Sequence, residues 1–181
     1  MDQQLLYAVN GYAGQWEWLD RTMMAVGHPG YYLVPGVLVL GYWVWLKRQE
    51  AFIGLVALAA LIPASDFLGA QLKHLVGRSR PCQMLQGINE LSACGGTFGF
   101  PSNHAVNAAA AAAFFQVMYP ASGWVSWPLV VLIGLSRVYV AAHYVTDVLG
   151  GWAIGAILGG GAASLLLRWR RGRGHNPEAA S

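Results

Sequence analysis

The chain has 181 residues, of which 56% are hydrophobic and only 10% charged, with a net charge of +3 and a mean hydropathy of +0.43. A soluble domain carries roughly a quarter charged residues, so this chain is too poor in charge to cover a water-facing surface. The small positive balance sits in local clusters, which argues against nucleic acid as a partner.

Eight tryptophans and eight tyrosines suit the aromatic belts found where helices cross the lipid–water boundary. The expected fold is all-α: one integral membrane helical bundle of five to six transmembrane helices. Three regions are expected: an N-terminal amphipathic or weakly spanning segment over 1–30, a membrane domain over 31–168, and a basic, disordered cytoplasmic tail over 169–181.

The N-terminal MDQQLLYAVNGYAG lacks the basic start and apolar core of a cleaved leader, so none is expected. Leu5, Tyr12, Trp16, Leu19 and Met23 recur near helical spacing, while Gln15, Glu17, Asp20 and Arg21 interrupt any apolar run. The pattern predicts an amphipathic helix in the interface, with a sixth, polar span as the alternative.

A spanning helix needs about 20 mostly apolar residues. Five segments qualify or nearly so: Tyr31–Leu46, Ala51–Leu72, His104–Tyr119, Trp124–Ala142 and Val148–Leu167. The first and third are short. The third is rich in alanine, which offers little area to lipid, and is expected to pack among other helices.

Lys47 and Arg48 follow the first span, and Arg168, Arg170, Arg171 and Arg173 follow the last. Positive connectors stay in the cytoplasm, which puts 73–103 and the turn at 143–147 on the outer face. Arg78 and Arg80 run against that rule and need another explanation. The outer loop also carries both cysteines, Cys82 and Cys94. A disulfide there fits an oxidising exterior and would stabilise by roughly 3 kcal/mol, with two unpaired thiols as the alternative.

The polar groups near membrane depth are Lys73, Arg80, Ser102, His104, Arg137, His143 and Asp147. Alternating spans bring all of them to one end of the bundle, and intramembrane ionisable groups are candidates for function. Each has a plainer role available: Lys73 can snorkel, Ser102 can cap a helix, and a lone histidine can be structural. Arg137 requires an anionic partner. Asp147, Gly151, Gly155 and Gly159 fall at intervals of four, on one helical face. The glycines allow close packing and aim Asp147 into the bundle, towards His143.

Three cations and a hydroxyl form a receptacle for a phosphoryl group, and the N–H groups opening the third span add an anion site. His143 with Asp147 is a base-and-orienter pair that leaves one ring nitrogen free to attack. His104 would then protonate the leaving oxygen. No metal ion or other cofactor is required.

These residues form three ordered signatures: KHLVGRSRP at 73–81, PSNH at 101–104 and SRVYVAAHYVTD at 136–147. In them the chain resembles the type 2 phosphatidic acid phosphatase superfamily, which also includes the vanadium haloperoxidases. The first and third match its Lys-x6-Arg-Pro and Ser-Arg-x5-His-x3-Asp patterns. The second departs from Pro-Ser-Gly-His in Asn103, a residue that tolerates unusual dihedrals better than most.

The resemblance implies roles. Lys73, Arg80 and Arg137 would bind phosphate oxygens, aided by Ser102 and the Asn103 backbone. His143 would be the nucleophile forming a phosphohistidine, Asp147 its orienter, and His104 the general acid and then the base for water. It further implies a lipid phosphate substrate: undecaprenyl diphosphate, phosphatidylglycerol phosphate, phosphatidate or the phosphates of lipid A. The expected setting is a bacterial inner membrane with the site facing the periplasm. Oligomeric state is not legible. Two rivals stand beside hydrolysis: a phosphoryl or head-group transferase, and a binder or transporter of anionic lipid. Transport is disfavoured because no charge is read at the middle of a span.

Overall fold

The computed structural model describes residues 1–174 and contains seven α-helices among them: α1 Asp2–Asn10, α2 Glu17–Val26, α3 Pro29–Val76, α4 Pro81–Met84, α5 Asn103–Met118, α6 Gly123–Tyr139 and α7 Val145–Gly174. By length and composition three helical stretches can cross a membrane: Gly36–Val76, Pro120–Tyr139 and Val145–Gly172.

The longest of these is not straight. Lys47 and Arg48 leave helical geometry, and the Trp43 ring lies against Gly54, in space a Cβ there would occupy. Residues so far apart in sequence meet only if the chain folds back. α3 is therefore two antiparallel arms that turn at the Lys47–Arg48 pair.

α5 is the centre of the bundle and packs against α3, α6 and α7. Ala105, Val106, Ala109, Ala110, Ala112, Ala113 and Phe114 are buried along it. Its small residues meet the glycine face of α7. A Cβ on Gly155 would run into the Val106 carbonyl, and one on Gly159 into that of Ala110. This is the close backbone approach that the four-residue spacing predicted.

Two polar sets mark the ends. At one end the Tyr119 hydroxyl donates to Glu50 Oε1 at 2.6 Å and accepts from Trp43 Nε1 at 2.8 Å, while Arg170 Nη2 donates to the Glu50 carbonyl at 2.8 Å. The α3 turn and the C-terminal parts of α5 and α7 thus share one end. The last turn of α3, the start of α5, the end of α6 and the start of α7 share the other.

The N-terminal segment differs from the single amphipathic helix expected. α1 and α2 have 9 and 10 residues, about 15 Å each, half the hydrocarbon thickness, so neither is long enough to span by itself. The chain breaks between them at Gly11–Gln15, where Gly14 takes a φ of +82 that glycine adopts without strain. The break rotates the two halves. Leu6, not Leu5, is buried, against Ala105, Val138, Tyr144 and Val148, while Tyr12 and Trp16 remain exposed.

Polar bonds hold α1 and α2 over the end of α6. Asn10 Nδ2 donates to the Tyr139 carbonyl at 2.7 Å and the Asn89 carbonyl at 2.9 Å, and its Oδ1 accepts the Asn89 N–H at 2.8 Å. Asp20 Oδ1 accepts from the Tyr139 hydroxyl at 2.7 Å. At the other end of the chain, α7 continues to Gly174, past the expected start of the tail at 169; residues 175–181 lie outside the described residues.

Gly155→Ala places a methyl in the α5 backbone and is expected to destabilise the protein by about 1–3 kcal/mol. Thermal unfolding in detergent checks this, with Gly160→Ala, whose Cβ meets nothing, as the comparison.

Candidate active site

Lys73 stands in the last turn of α3, which closes on Gly77 at a φ of +62 with the Gly77 N–H bonded to the Lys73 carbonyl at 2.9 Å. A left-handed glycine ends the helix sharply and sends 78–80 back across the bundle end. The Lys73 ammonium donates to the Pro101 carbonyl. Arg80 is the extended residue before α4, whose first position is Pro81. Its Nε donates to the Gly96 carbonyl at 2.6 Å and its Nη1 to the Ala142 carbonyl at 3.2 Å.

His143 lies on the turn between α6 and α7. Ala141 takes a φ of +55 there, uncommon for a residue with a Cβ. The N–H groups of Ala142 and His143 both return to the Arg137 carbonyl, at 3.0 and 3.3 Å. The turn therefore folds His143 back beside Arg137. Nη1 of Arg80 is 3.2 Å from His143 Nε2. A guanidinium only donates, so Nε2 carries the lone pair and the ring proton is on Nδ1. His143 is 3% exposed, and burial, with Arg80 and Lys73 nearby, pushes its pKa down to about 4 against the pull of Asp147. The imidazole is neutral at neutral pH.

Asp147 has no exposed surface. Standing three residues after Tyr144 at the start of α7, it reaches back so that Oδ2 accepts the Tyr144 N–H at 2.9 Å, the carboxylate half of a capping box. Oδ1 accepts from Arg78 Nη1 at 2.8 Å. His143 Nδ1 is 3.7 Å from Oδ2, correctly placed but longer than a hydrogen bond. The Asp147 carbonyl accepts the Ser102 N–H at 3.1 Å, so α5 and α7 begin side by side.

A cavity of about 290 Å³ is lined by Lys73, Arg80, Asn103, His104, Arg137 and His143, with Ser92, Ala93 and Gly95 of the outer loop as a further wall. That loop is closed by the Cys82–Cys94 disulfide, with a Cα–Cα distance of 5.9 Å. Six of the eight residues expected to act on or bind phosphate thus meet at one space. Asp147 stands behind His143. Ser102 is buried and off the wall, and its hydroxyl has no hydrogen-bond partner among the described residues.

Two residues of consequence were given no role from the sequence. Arg78, which stood out only against the positive-connector rule, donates to Asp147 with its side chain 31% exposed. Asp66 lies inside the second expected span, and its Oδ1 accepts from Asn103 Nδ2 at 3.0 Å and Asn107 Nδ2 at 2.9 Å. The acid thus stands towards the site end of that span, beside the start of α5. An acid two helical turns before Lys73 in an apolar run was the available signal.

A sequence profile of the PAP2 superfamily matches residues 50–172. The chain belongs to the PAP2 superfamily. Among its PAP2 relatives, phosphatidylglycerophosphatase B of Bacillus subtilis is 33% identical over 159 residues, covering 78% of this chain and 72% of that protein. Lipid A 4'-phosphatase of Porphyromonas gingivalis is 28% identical over 165 residues, covering 78% and 68%. The crystal structure of a transmembrane PAP2 type phosphatidylglycerolphosphate phosphatase from Bacillus subtilis superposes with a TM-score of 0.66 at 26% identity, over 92% of this chain and 86% of that one.

One cation of the cavity packs against a glycine outside the matched region. A Cβ on Gly27 would overlap the Arg137 guanidinium. Gly27→Ala is expected to displace that cation and weaken inorganic phosphate binding about tenfold, the equivalent of one charge-assisted hydrogen bond, as read by titration calorimetry in detergent.

Proposed function

We propose that this chain is a membrane phosphatase that hydrolyses a lipid phosphate by a metal-independent route through a phosphohistidine. The observation that carries the reading is the convergence of Lys73, Arg80, Arg137, His104 and His143 on one cavity, with Asp147 behind His143. Relatives named as lipid phosphatases support the substrate class.

Five crossings account for the helices: the two arms of α3, then α5, α6 and α7, with α1 and α2 on the outer face. Lys47, Arg48, Arg168, Arg170 and Arg171 then lie on the cytoplasmic side, and the cavity opens at the outer edge of a bacterial inner membrane. A lipid can present its phosphate there while its tails stay in the bilayer.

The three cations take the nonbridging phosphate oxygens, and Arg80 turns its Nη1 from His143 Nε2 to one of them. Nε2 then attacks phosphorus. The N–P bond forms as the P–O bond to the lipid breaks, and His104 gives its proton to the leaving oxygen. Asp147 holds the Nδ1 proton and stabilises the charge gained by the ring. His104 next takes a proton from water, whose oxygen attacks phosphorus as the N–P bond breaks, releasing inorganic phosphate. Charge spreads over the equatorial oxygens in both steps, where the cations are fixed.

Phosphate release from a panel of lipid phosphates in detergent, with chelator present, tests this. The panel comprises undecaprenyl diphosphate, phosphatidylglycerol phosphate, phosphatidate and lipid A. His143→Ala is expected to abolish turnover, and Asp147→Asn to lower kcat by about 1,000-fold or more. Turnover that survives the first change, or that needs a divalent metal, defeats the mechanism. Transfer to an added alcohol in place of water would mark a transferase.

The pH profile gives a second check. His143 must be neutral to attack, and its pKa in the free protein is lowered to about 4. After correction for substrate ionisation, kcat/KM is expected not to fall as pH drops through the ordinary histidine value, about 6.5, because His143 stays neutral while His104 gains the proton it must give. It should drop only near pH 4.

A further inference from the structure

Arg78 is absent from the cavity wall yet tied to the chemistry from behind. Its Nη1 donates to Asp147 Oδ1 at 2.8 Å and Thr146 Oγ1 at 2.5 Å, and its Nη2 to Asp2 Oδ2 at 2.6 Å. Its Cζ lies 4.2 Å from the centre of the Tyr144 ring. Asp2 in turn accepts the Thr146 N–H on Oδ1 at 3.2 Å and the Thr146 hydroxyl on Oδ2. We propose that Arg78 is a positioning residue for the reaction, holding Asp147 so that it faces His143, and that Asp2 of α1 fixes Arg78 for that task. The proposal rests on the roles given above to His143 and Asp147.

A fully buried carboxylate needs both pairing and hydrogen bonds. Oδ2 of Asp147 is already committed to the Tyr144 N–H and the His143 side, so pairing has to come at Oδ1, where Arg78 sits. The planar guanidinium matters because it meets two carboxylates and a hydroxyl at once. A lysine ammonium is a point charge and fixes no such set of directions.

Asp2 does a second thing. The Thr146 N–H is among the donors that the first turn of a helix leaves without an intrahelical partner. By accepting it, α1 caps α7 from a distant part of the chain, at the turn that carries Asp147. The network therefore fixes both the backbone and the carboxylate of the residue that orients His143.

A positioning role predicts a loss in kcat without a loss of substrate affinity. The test uses the full chain in detergent and the member of the lipid phosphate panel that the unmutated protein turns over fastest. Inorganic phosphate serves as competitive inhibitor. Arg78→Gln is expected to lower kcat on the order of 100-fold, with KM and the phosphate inhibition constant within about twofold of the unmutated values. The retained inhibition constant shows that the variant is folded with its cradle intact. Arg78→Lys should recover about tenfold of that loss, since it restores charge but not the fork. Asp2→Asn should cost about tenfold, and adding it to Arg78→Gln should cost almost nothing more, because both act along one path.

An unchanged kcat in Arg78→Gln overturns the proposal. So does a rise in KM and inhibition constant that matches the fall in kcat, which would put Arg78 on the substrate. Full multiplication of the two losses removes Asp2 from the path. If Asp147→Asn keeps its turnover, the underlying mechanism is wrong; if it loses turnover while Arg78→Gln does not, only the inference about Arg78 fails.

Discussion

A carboxylate with no exposed surface survives in an apolar bundle only when each of its oxygens is answered. Asp147 meets that condition because it stands at a helix start, where free N–H groups and the positive end of the helix dipole favour an anion. Tyr144 answers one oxygen and Arg78 the other. The same residue's carbonyl takes the Ser102 N–H, so satisfying one buried acid also sets the relative height of α5 and α7. That height brings His104, on the first turn of α5, and His143, just before α7, onto one cavity.

The helical face that aims Asp147 continues as Gly151, Gly155 and Gly159 against the α5 backbone. Orientation of the acid and spacing of the two helices are thus consequences of a single stripe. Far from the site, Glu50, Tyr119 and Arg170 tie the other end. The N-terminal helices close the site end through Asn10, Asp20 and Asp2. The bundle is held at both ends by polar bonds and along its middle by small residues in close contact.

Much of the site is legible in the amino-acid sequence, and for a physical reason. Alternating helices carry the ends of spans to common levels, so the places of Lys73, Arg80, His104, Arg137 and His143 in the apolar pattern are enough to gather them. Which way each side chain turns is another matter. Ser102 and His104 sit two residues apart, yet one is enclosed and the other on the wall. The Lys-x6-Arg-Pro pattern sets Arg80 apart from Arg78, but only tertiary contacts put Arg78 at the back of Asp147. The buried face of the N-terminal segment differs from expectation because a single helical period does not run across Gly11 and Gly14, the residues that interrupt it. Asp66 stands out in its apolar run, but its partners Asn103 and Asn107 are set by tertiary contact alone.

Asn103 stands where the Pro-Ser-Gly-His pattern has glycine, and its amide is one of two that hold the Asp66 carboxylate. The two side chains are consequently coupled in energy. Reverting Asn103 alone strips a donor from an acid at membrane depth, and losing Asp66 alone leaves two amides without their acceptor. Exchanging both partners together avoids either loss, so the joint change should cost less than the two single changes summed.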